Sequence, residues 1–154
     1  MAICVGVDAS TKHDQTAIVA TAFDRNSQVV RLVAHRVFQP APNEPLDFEE
    51  TIERTLLDLD QRFAIRKVLF DPYQLVSVAQ RLLKRQVKVE EFAQSSPNLT
   101  MASHLYELIQ DQRLVVYPDP TCDVRFPKRL LLRRRAVGAL ARPRSRIRLI
   151  LLLL

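Results

Sequence analysis

Glycine is scarce in this chain of 154 residues, which contains only Gly6 and Gly138. Proteins that bind a nucleotide through a glycine-rich phosphate loop need several glycines close together, because the backbone must approach the phosphates. Two glycines 132 positions apart cannot form such a loop. The sequence therefore argues against every class of ATPase that depends on one.

Cysteines and long apolar runs are also lacking. Cys4 and Cys122 lie far apart, so we expect neither a disulfide framework nor a zinc site, and we expect a reducing, cytoplasmic setting. The apolar run at residues 3–7 is too short for a signal peptide. The run at residues 149–154 is too short to cross a bilayer, which takes about 20 apolar residues. We expect no membrane association.

Acidic residues are almost absent from the end of the chain. Residues 123–154 hold ten Lys and Arg against one acid, Asp123, whereas residues 1–122 hold thirteen basic and sixteen acidic residues. The tail therefore carries a net charge of +9 (10 − 1) and the rest of the chain −3 (13 − 16), which together give the net charge of +6. We predict a folded domain over residues 1–121 and a poorly ordered basic tail over 122–154. A basic tail is also typical of a nucleic-acid-binding arm.

Hydrophobic patterning predicts a single α/β domain before the tail. Three apolar segments joined by tight turns predict an antiparallel meander, and they cover residues 2–8, 15–23 and 28–38. Three segments with helical spacing follow, each leading into a short strand, with the strands at residues 67–71, 87–92 and 113–117. Strands linked through helices pair in parallel by right-handed crossovers. The prediction is a mixed sheet flanked by helices, in the order β-β-β-α-β-α-β-α-β.

The first predicted helix, over residues 47–62, carries several acids. Asp47 is a plausible N-cap, with further acids in the first turn, where the helix dipole favours them. Glu53 and Asp60 fall on the polar face of the helix, so we expect both to be solvated and neither to be catalytic.

Two predicted strands end in an aspartate. Asp8 follows an apolar run, and Asp71 follows another and precedes Pro72. If these strands lie side by side and parallel, their ends are about 4.8 Å apart. Two carboxylates that close repel each other, and a bound divalent cation removes the repulsion. The alternative is that both are ordinary turn residues, since aspartate is common at strand ends.

This order of elements, with aspartates ending the first and fourth strands, resembles the ribonuclease-H-like nuclease fold. The finer resemblance is to the nuclease domain of the large subunit of phage terminases, the DNA-packaging motors, and it covers about residues 2–121. The residues that carry it are Val5-Gly6-Val7-Asp8-Ala9-Ser10 with Asp14, Thr16 and Ala17, then Val68-Leu69-Phe70-Asp71-Pro72, then Glu91-Phe92-Ala93-Gln94 with Met101, and finally residues 105–114 with Pro118-Asp119-Pro120.

The resemblance implies a two-metal DNA endonuclease. Two Mg²⁺ or Mn²⁺ ions would clamp the scissile phosphate, activate a water and stabilise the leaving oxygen. By the motif match, Asp8 would bridge the two ions and Asp71 would hold one of them. The resemblance also implies double-stranded DNA as the substrate, and the terminase ATPase, small subunit and portal as partners. It implies a phage or prophage protein that acts in the host cytoplasm.

Two further residues follow Asp8 in the predicted loop, His13 and Asp14. Asp14 is more typical of a solvated loop residue than of one that supports the site. His13 is a weaker metal candidate than a carboxylate, because Mg²⁺ prefers oxygen ligands.

The chain departs from the family pattern after its last predicted strand. The family's third acid opens a helix there, but this sequence has no acid beyond Asp123, which follows the Pro118–Pro120 turn too directly to replace it. The Arg- and Leu-rich composition beyond it indicates translation in a shifted reading frame, a hypothesis that the nucleotide sequence would test. The family's ATPase, which would precede the nuclease, is also missing.

These departures leave several functions open. The chain is an active endonuclease, an inactive one that lacks its third acidic ligand, or a non-catalytic module that binds DNA through the basic tail. A Holliday-junction resolvase of the same superfamily would share Asp8 but would carry further acids late in the chain. An actin-like ATPase would need glycine-rich phosphate turns, which the sequence lacks.

Overall fold

A computed structural model of the protein describes residues 1–9, 15–41, 45–70, 72–92 and 98–117. Its elements follow the predicted order. They are β1 (Ala2–Asp8), β2 (Thr16–Asp24), β3 (Val29–Phe38), a π-helical turn (Glu49–Glu53) that continues into α1 (Arg54–Arg62), β4 (Ala64–Phe70), α2 (Pro72–Lys84), β5 (Val89–Glu91), α3 (Asn98–Gln110) and β6 (Leu114–Val115).

The strands within these ranges form one mixed sheet in the order β5-β4-β1-β2-β3-β6. The β1–β2 and β2–β3 pairs are antiparallel, as the predicted meander requires. The β1–β4, β4–β5 and β3–β6 pairs are parallel. The structure thus confirms the predicted mixed sheet. No helix in the described ranges is long and apolar enough to span a membrane.

The sheet has two distinct faces because successive side chains of a strand point in opposite directions. On one face, which we call the core face, Ile3, Val5 and Val7 are fully buried against Leu56 of α1 and Val78 of α2. The opposite face carries the alternate residues of β1, including Gly6 and Asp8, and we call it the Asp8 face. The main hydrophobic core therefore lies between the sheet and the α1–α2 layer.

The predicted helix start at Asp47 is confirmed in its hydrogen bonds. The Oδ1 atom of Asp47 accepts the backbone N–H groups of Glu49 at 2.7 Å and Glu50 at 3.3 Å. These are donors that a helix start leaves without intrahelical partners, and the side chain satisfies them. Asp60 is exposed, as expected.

The expectation that Glu53 is solvated is wrong, because Glu53 is buried, with 8% of its surface exposed. Its Oε2 atom accepts a hydrogen bond of 2.6 Å from Nε of Arg81 on α2. The Nη1 atom of Arg81 lies 2.9 Å from Oε1 of Glu49. The helical pattern of α1 alone cannot reveal this contact, because Arg81 lies 28 residues further along the chain. The ion pair joins α2 to the π-helical turn that precedes α1.

The tail at residues 122–154 lies outside the described residues. The division into a domain over residues 1–121 and a poorly ordered tail therefore stays a prediction.

We predict that Arg81→Met lowers the melting temperature by roughly 5–10 °C, because it leaves the Glu53 carboxylate buried without its cation. Glu49→Gln is the matched control, since it removes the other acid that contacts Arg81 but its side chain is 67% exposed. An exposed ion pair contributes little, so Glu49→Gln should leave the melting temperature nearly unchanged. Thermal unfolding followed by circular dichroism checks both. Equal effects of the two substitutions would contradict a special role for the buried acid.

Candidate active site

Asp8 ends β1, which lies between β4 and β2 in the sheet. Its cross-strand partner on β2 is Ala17, and the preceding residue, Val7, is fully buried on the core face. The Asp8 side chain is half-buried, and its Oδ2 atom is buried from solvent. Asp8 is therefore not a fully solvated turn residue at the end of an exposed strand.

The second predicted ligand follows the neighbouring strand. β4 runs parallel to β1, and their last described pair is Val7 with Phe70. Asp8 is the next residue after Val7, and Asp71 is the next residue after Phe70. The structure therefore confirms the parallel register that the prediction needed. Asp71 itself lies outside the described residues, so its contact with Asp8 stays a prediction.

The other acids and the histidine considered near the site, Asp14, Asp123 and His13, also lie outside the described residues. Within the described ranges, no group of three or more His, Cys, Asp or Glu side chains is arranged to hold a metal ion. The two-ion centre that the resemblance implies is therefore not seen in this part of the chain.

Small and apolar residues surround Asp8 on its own face of the sheet. Gly6 is buried two positions before it, and Val19 pairs with Gly6 on β2. Ala17 packs with Val19 and with Phe92, whose backbone N–H donates to the Phe70 carbonyl oxygen at 2.9 Å. A glycine inside a strand often marks a place where another group comes close to the backbone. This apolar wall lowers the local dielectric constant, which strengthens any charge interaction of Asp8.

A second strand-end aspartate, Asp24, shows what a turn residue looks like in this fold. Its Oδ2 atom accepts a hydrogen bond of 2.7 Å from the Ser27 hydroxyl, and its Oδ1 atom accepts the Asn26 N–H at 3.0 Å. The hydrogen bond from the Ser27 hydroxyl has the largest effect and lowers the pKa of the Asp24 carboxyl below its usual range. The backbone N–H groups of Asn26 and Ser27 lower it further. The turn interpretation therefore accounts for Asp24, which closes the β2–β3 hairpin. Asp8 differs in its position at the end of a central strand and in its buried oxygen.

Two polar contacts near the carboxyl ends of β1 and β3 are not visible in the sequence. Nδ1 of His35 lies 2.5 Å from the Tyr117 hydroxyl oxygen, and the two ring centroids are 5.5 Å apart. Nε2 of Gln15 donates to Oε1 of Gln39 at 2.6 Å. The partners are 82 and 24 residues apart in the sequence, so no local pattern could have paired them.

No protein-family model matches the sequence, and a search of the curated proteins finds no match. Solved structures do match. The large terminase of bacteriophage HK97 is 14% identical over 76% of this chain, with a TM-score of 0.61. The large terminase nuclease of the thermophilic phage G20c, crystallised with bound magnesium, is 17% identical over 98% of this chain, with a TM-score of 0.61.

A third similar structure is the large terminase nuclease domain of bacteriophage SPP1 with bound Mn, 15% identical over 77% of this chain, with a TM-score of 0.50. This chain spans 30% of the HK97 terminase, 78% of the G20c nuclease and 62% of the SPP1 domain. At these identities the likeness is one of fold. The predicted ribonuclease-H-like α/β fold is therefore confirmed.

We predict that Asp8→Asn and Asp24→Asn change stability in different ways. If Asp8 serves a site rather than the fold, Asp8→Asn should leave the melting temperature nearly unchanged. Asp24→Asn weakens the hairpin turn and should lower it by a few degrees at pH 7. Because the folded-state pKa of Asp24 is lowered, the stability it contributes is present above the carboxyl's unfolded pKa of about 3.9 and is lost as the pH falls through the folded value.

Thermal unfolding at pH 7 and at acidic pH measures both effects. The difference between wild type and Asp24→Asn should shrink on acidification. A clear loss of stability in Asp8→Asn at pH 7 would show that Asp8 supports the fold rather than a function.

Proposed function

We propose that this chain is a metal-dependent DNA endonuclease domain of the phage-terminase type, in which Asp8 and Asp71 hold the metal. The observation that carries the proposal is the parallel pairing of β1 with β4 up to Val7 and Phe70, because Asp8 and Asp71 are the next residues in the sequence. The fold is shared with nuclease domains of large terminases, and this supports the same class of reaction.

The donor set fits a hard divalent cation. Mg²⁺ and Mn²⁺ prefer carboxylate oxygens, and Asp8 offers a carboxylate on a rigid central strand. The G20c nuclease was crystallised with magnesium and the SPP1 domain with manganese, which supports the same choice here. When bound, such ions activate a water for attack on phosphorus and stabilise the charge on the leaving oxygen.

The chain's own residues around Asp8 would prepare the site for that cation. The strand backbone fixes the direction of the Asp8 carboxylate, and the neighbouring β4 backbone fixes the start of the segment that bears Asp71. Ala17, the cross-strand partner of Asp8, packs with Val19 and Phe92, so the neighbourhood of Asp8 on β2 is apolar. Gly6 has no side chain to obstruct a substrate that approaches this face.

The described acids nearest this edge do not supply a third ligand. Glu90 of β5 forms an ion pair of 3.1 Å with Lys67. Glu91 pairs with Phe70, whose side chain lies in the core, so strand alternation puts Glu91 away from the Asp8 face. The proposal therefore includes an incomplete ligand set. We expect the chain to bind the metal but to cleave DNA slowly.

We predict that Mn²⁺ raises the melting temperature of the full chain, and that Asp8→Asn and Asp71→Asn each abolish the rise. A ligand that binds only the folded state adds about 1.4 kcal/mol at ten times its Kd. Asp60→Asn is the matched control, because Asp60 is an exposed aspartate on α1. It should keep the full Mn²⁺ effect.

Mn²⁺-dependent nicking of supercoiled plasmid by the same four proteins provides the second measurement. Slow nicking that both site substitutions abolish is the expected result. Binding without nicking would show an inactive site with an incomplete ligand set. If Mn²⁺ neither stabilises the wild-type chain nor supports nicking, the proposal is wrong.

A second candidate function is DNA binding through the basic tail, which the ten Lys and Arg at residues 123–154 favour. Basic residues that neutralise phosphates release counterions, so the affinity falls steeply with salt. This function does not require catalysis, and it is compatible with an inactive metal site.

We predict that deleting residues 122–154 weakens DNA binding and flattens its salt dependence. Each lost phosphate contact should reduce the slope of log K against log salt by about 0.9. Fluorescence anisotropy with a labelled duplex measures the slope, and circular dichroism checks that the shortened chain keeps its fold. An unchanged slope in a folded deletion variant would rule out the tail as the DNA-binding element.

A further inference from the structure

β3 carries a row of side chains on the Asp8 face near the carboxyl end of β1. His35 pairs with Val19, which pairs with Gly6, and Gly6 and Asp8 share a face. By strand alternation Val37 follows His35 on that face. Gln39 lies one residue beyond the end of β3, where its side chain contacts that of Gln15 just before β2. We call His35, Val37 and Gln39 the β3 row.

The row is exposed to solvent and has polar groups at both ends. Val37 is 37% exposed, Gln39 is exposed, and His35 is half-buried. The Tyr117 hydroxyl contacts His35, and the Gln15 side-chain amide donates to Gln39, as described above. These contacts hold both polar ends of the row in fixed orientations, and neither partner brings a formal charge.

The row lies within reach of a substrate bound at Asp8. Val37 lies two strand spacings from Asp8, across Ala17, and His35 lies two residues before Val37 along β3. The Cα atoms of His35 and Asp8 are therefore about 12 Å apart. From His35 to Gln39 the row extends about 14 Å along the strand. This length matches roughly four base steps of a duplex at 3.4 Å each.

We propose that the β3 row is a positioning surface for the DNA strand next to the scissile phosphate, with Gln39 as its exposed contact. This inference depends on the proposed function, because it assigns the substrate's path to the Asp8 site. Uncharged amide and hydroxyl groups commonly contact phosphate and sugar, where they fix the register of the DNA without reading its sequence. Residues 1–122 carry more acids than bases, so such uncharged contacts hold DNA near an acidic site without adding repulsion.

Substitutions of opposite charge at Gln39 test the position directly. We expect Gln39→Lys to tighten binding of a labelled DNA duplex about fivefold, and Gln39→Glu to weaken it about fivefold, as one unit charge near a phosphate would do in water. Gln39→Lys should also steepen the slope of log K against log salt by about 0.9. A merely structural role for Gln39 would not produce opposite shifts with the two charges.

Gln80 provides the matched control, because it is an exposed glutamine on α2, which packs against the core face. Gln80→Lys and Gln80→Glu should change the affinity and the salt slope by less than half as much. Anisotropy titrations of the full-length variants in Ca²⁺, over about 50–200 mM salt, measure both quantities.

Tyr117→Phe tests the other end of the row. Loss of the hydroxyl contact to His35 should weaken DNA binding by about 2–10-fold, the range of one hydrogen bond.

The outcomes separate this inference from the proposed function. If the wild-type chain binds DNA and shows Asp8-dependent stabilisation by Mn²⁺, but the Gln39 and Gln80 variants behave alike, the inference alone is overturned. If the wild-type chain binds neither DNA nor Mn²⁺, the proposed function fails and the inference fails with it.

Discussion

The parallel register of β1 and β4 is the constraint on which the candidate site depends. It aligns Val7 with Phe70, and in the sequence an aspartate follows each of these two residues. A register shift of one residue would turn every side chain of a strand to the other face, so the buried valines of β1 also hold Asp8 in place. Val5 and Val7 are fully buried in the core, and the hydrophobic effect therefore fixes the position of a polar group.

The two described strand-end aspartates differ in burial and in hydrogen bonding. Asp24 accepts hydrogen bonds within its own hairpin, and these bonds stabilise its charged form. Asp8 has a buried oxygen beside an apolar wall that includes Phe92. The same residue type at the end of a strand thus lies in two different environments, an exposed hairpin turn for Asp24 and a partly buried position on a central strand for Asp8.

Local patterns in the sequence were sufficient to predict the element order and the hairpin at Asp24. The side-by-side pairing of β1 with β4 was a condition of the site hypothesis, and the structure meets that condition. Local patterns failed where the contact joins distant segments. Glu53 was expected in solvent because its helix shows a polar face, but Arg81 from the next helix covers that face. The contacts of His35 and Gln39 were missed for the same reason. Periodicity reports which face of an element is polar, but not which partner lies against it.

The described core and the basic tail come from different parts of the sequence. Among the described residues, the main buried cluster runs from Ile3 to Val87, and the last described strand, β6, adds two residues to the edge of the sheet at β3. The described sheet and its core therefore draw their stability from residues far from the divergent tail. Under the proposed function, loss of a third acid beyond residue 121 would leave the strand that carries Asp8 in place, because the described core is built from residues 3–87. We therefore expect metal affinity, which would depend on the β1–β4 edge, to be less sensitive to that segment than the cleavage rate, which would depend on a complete set of acids.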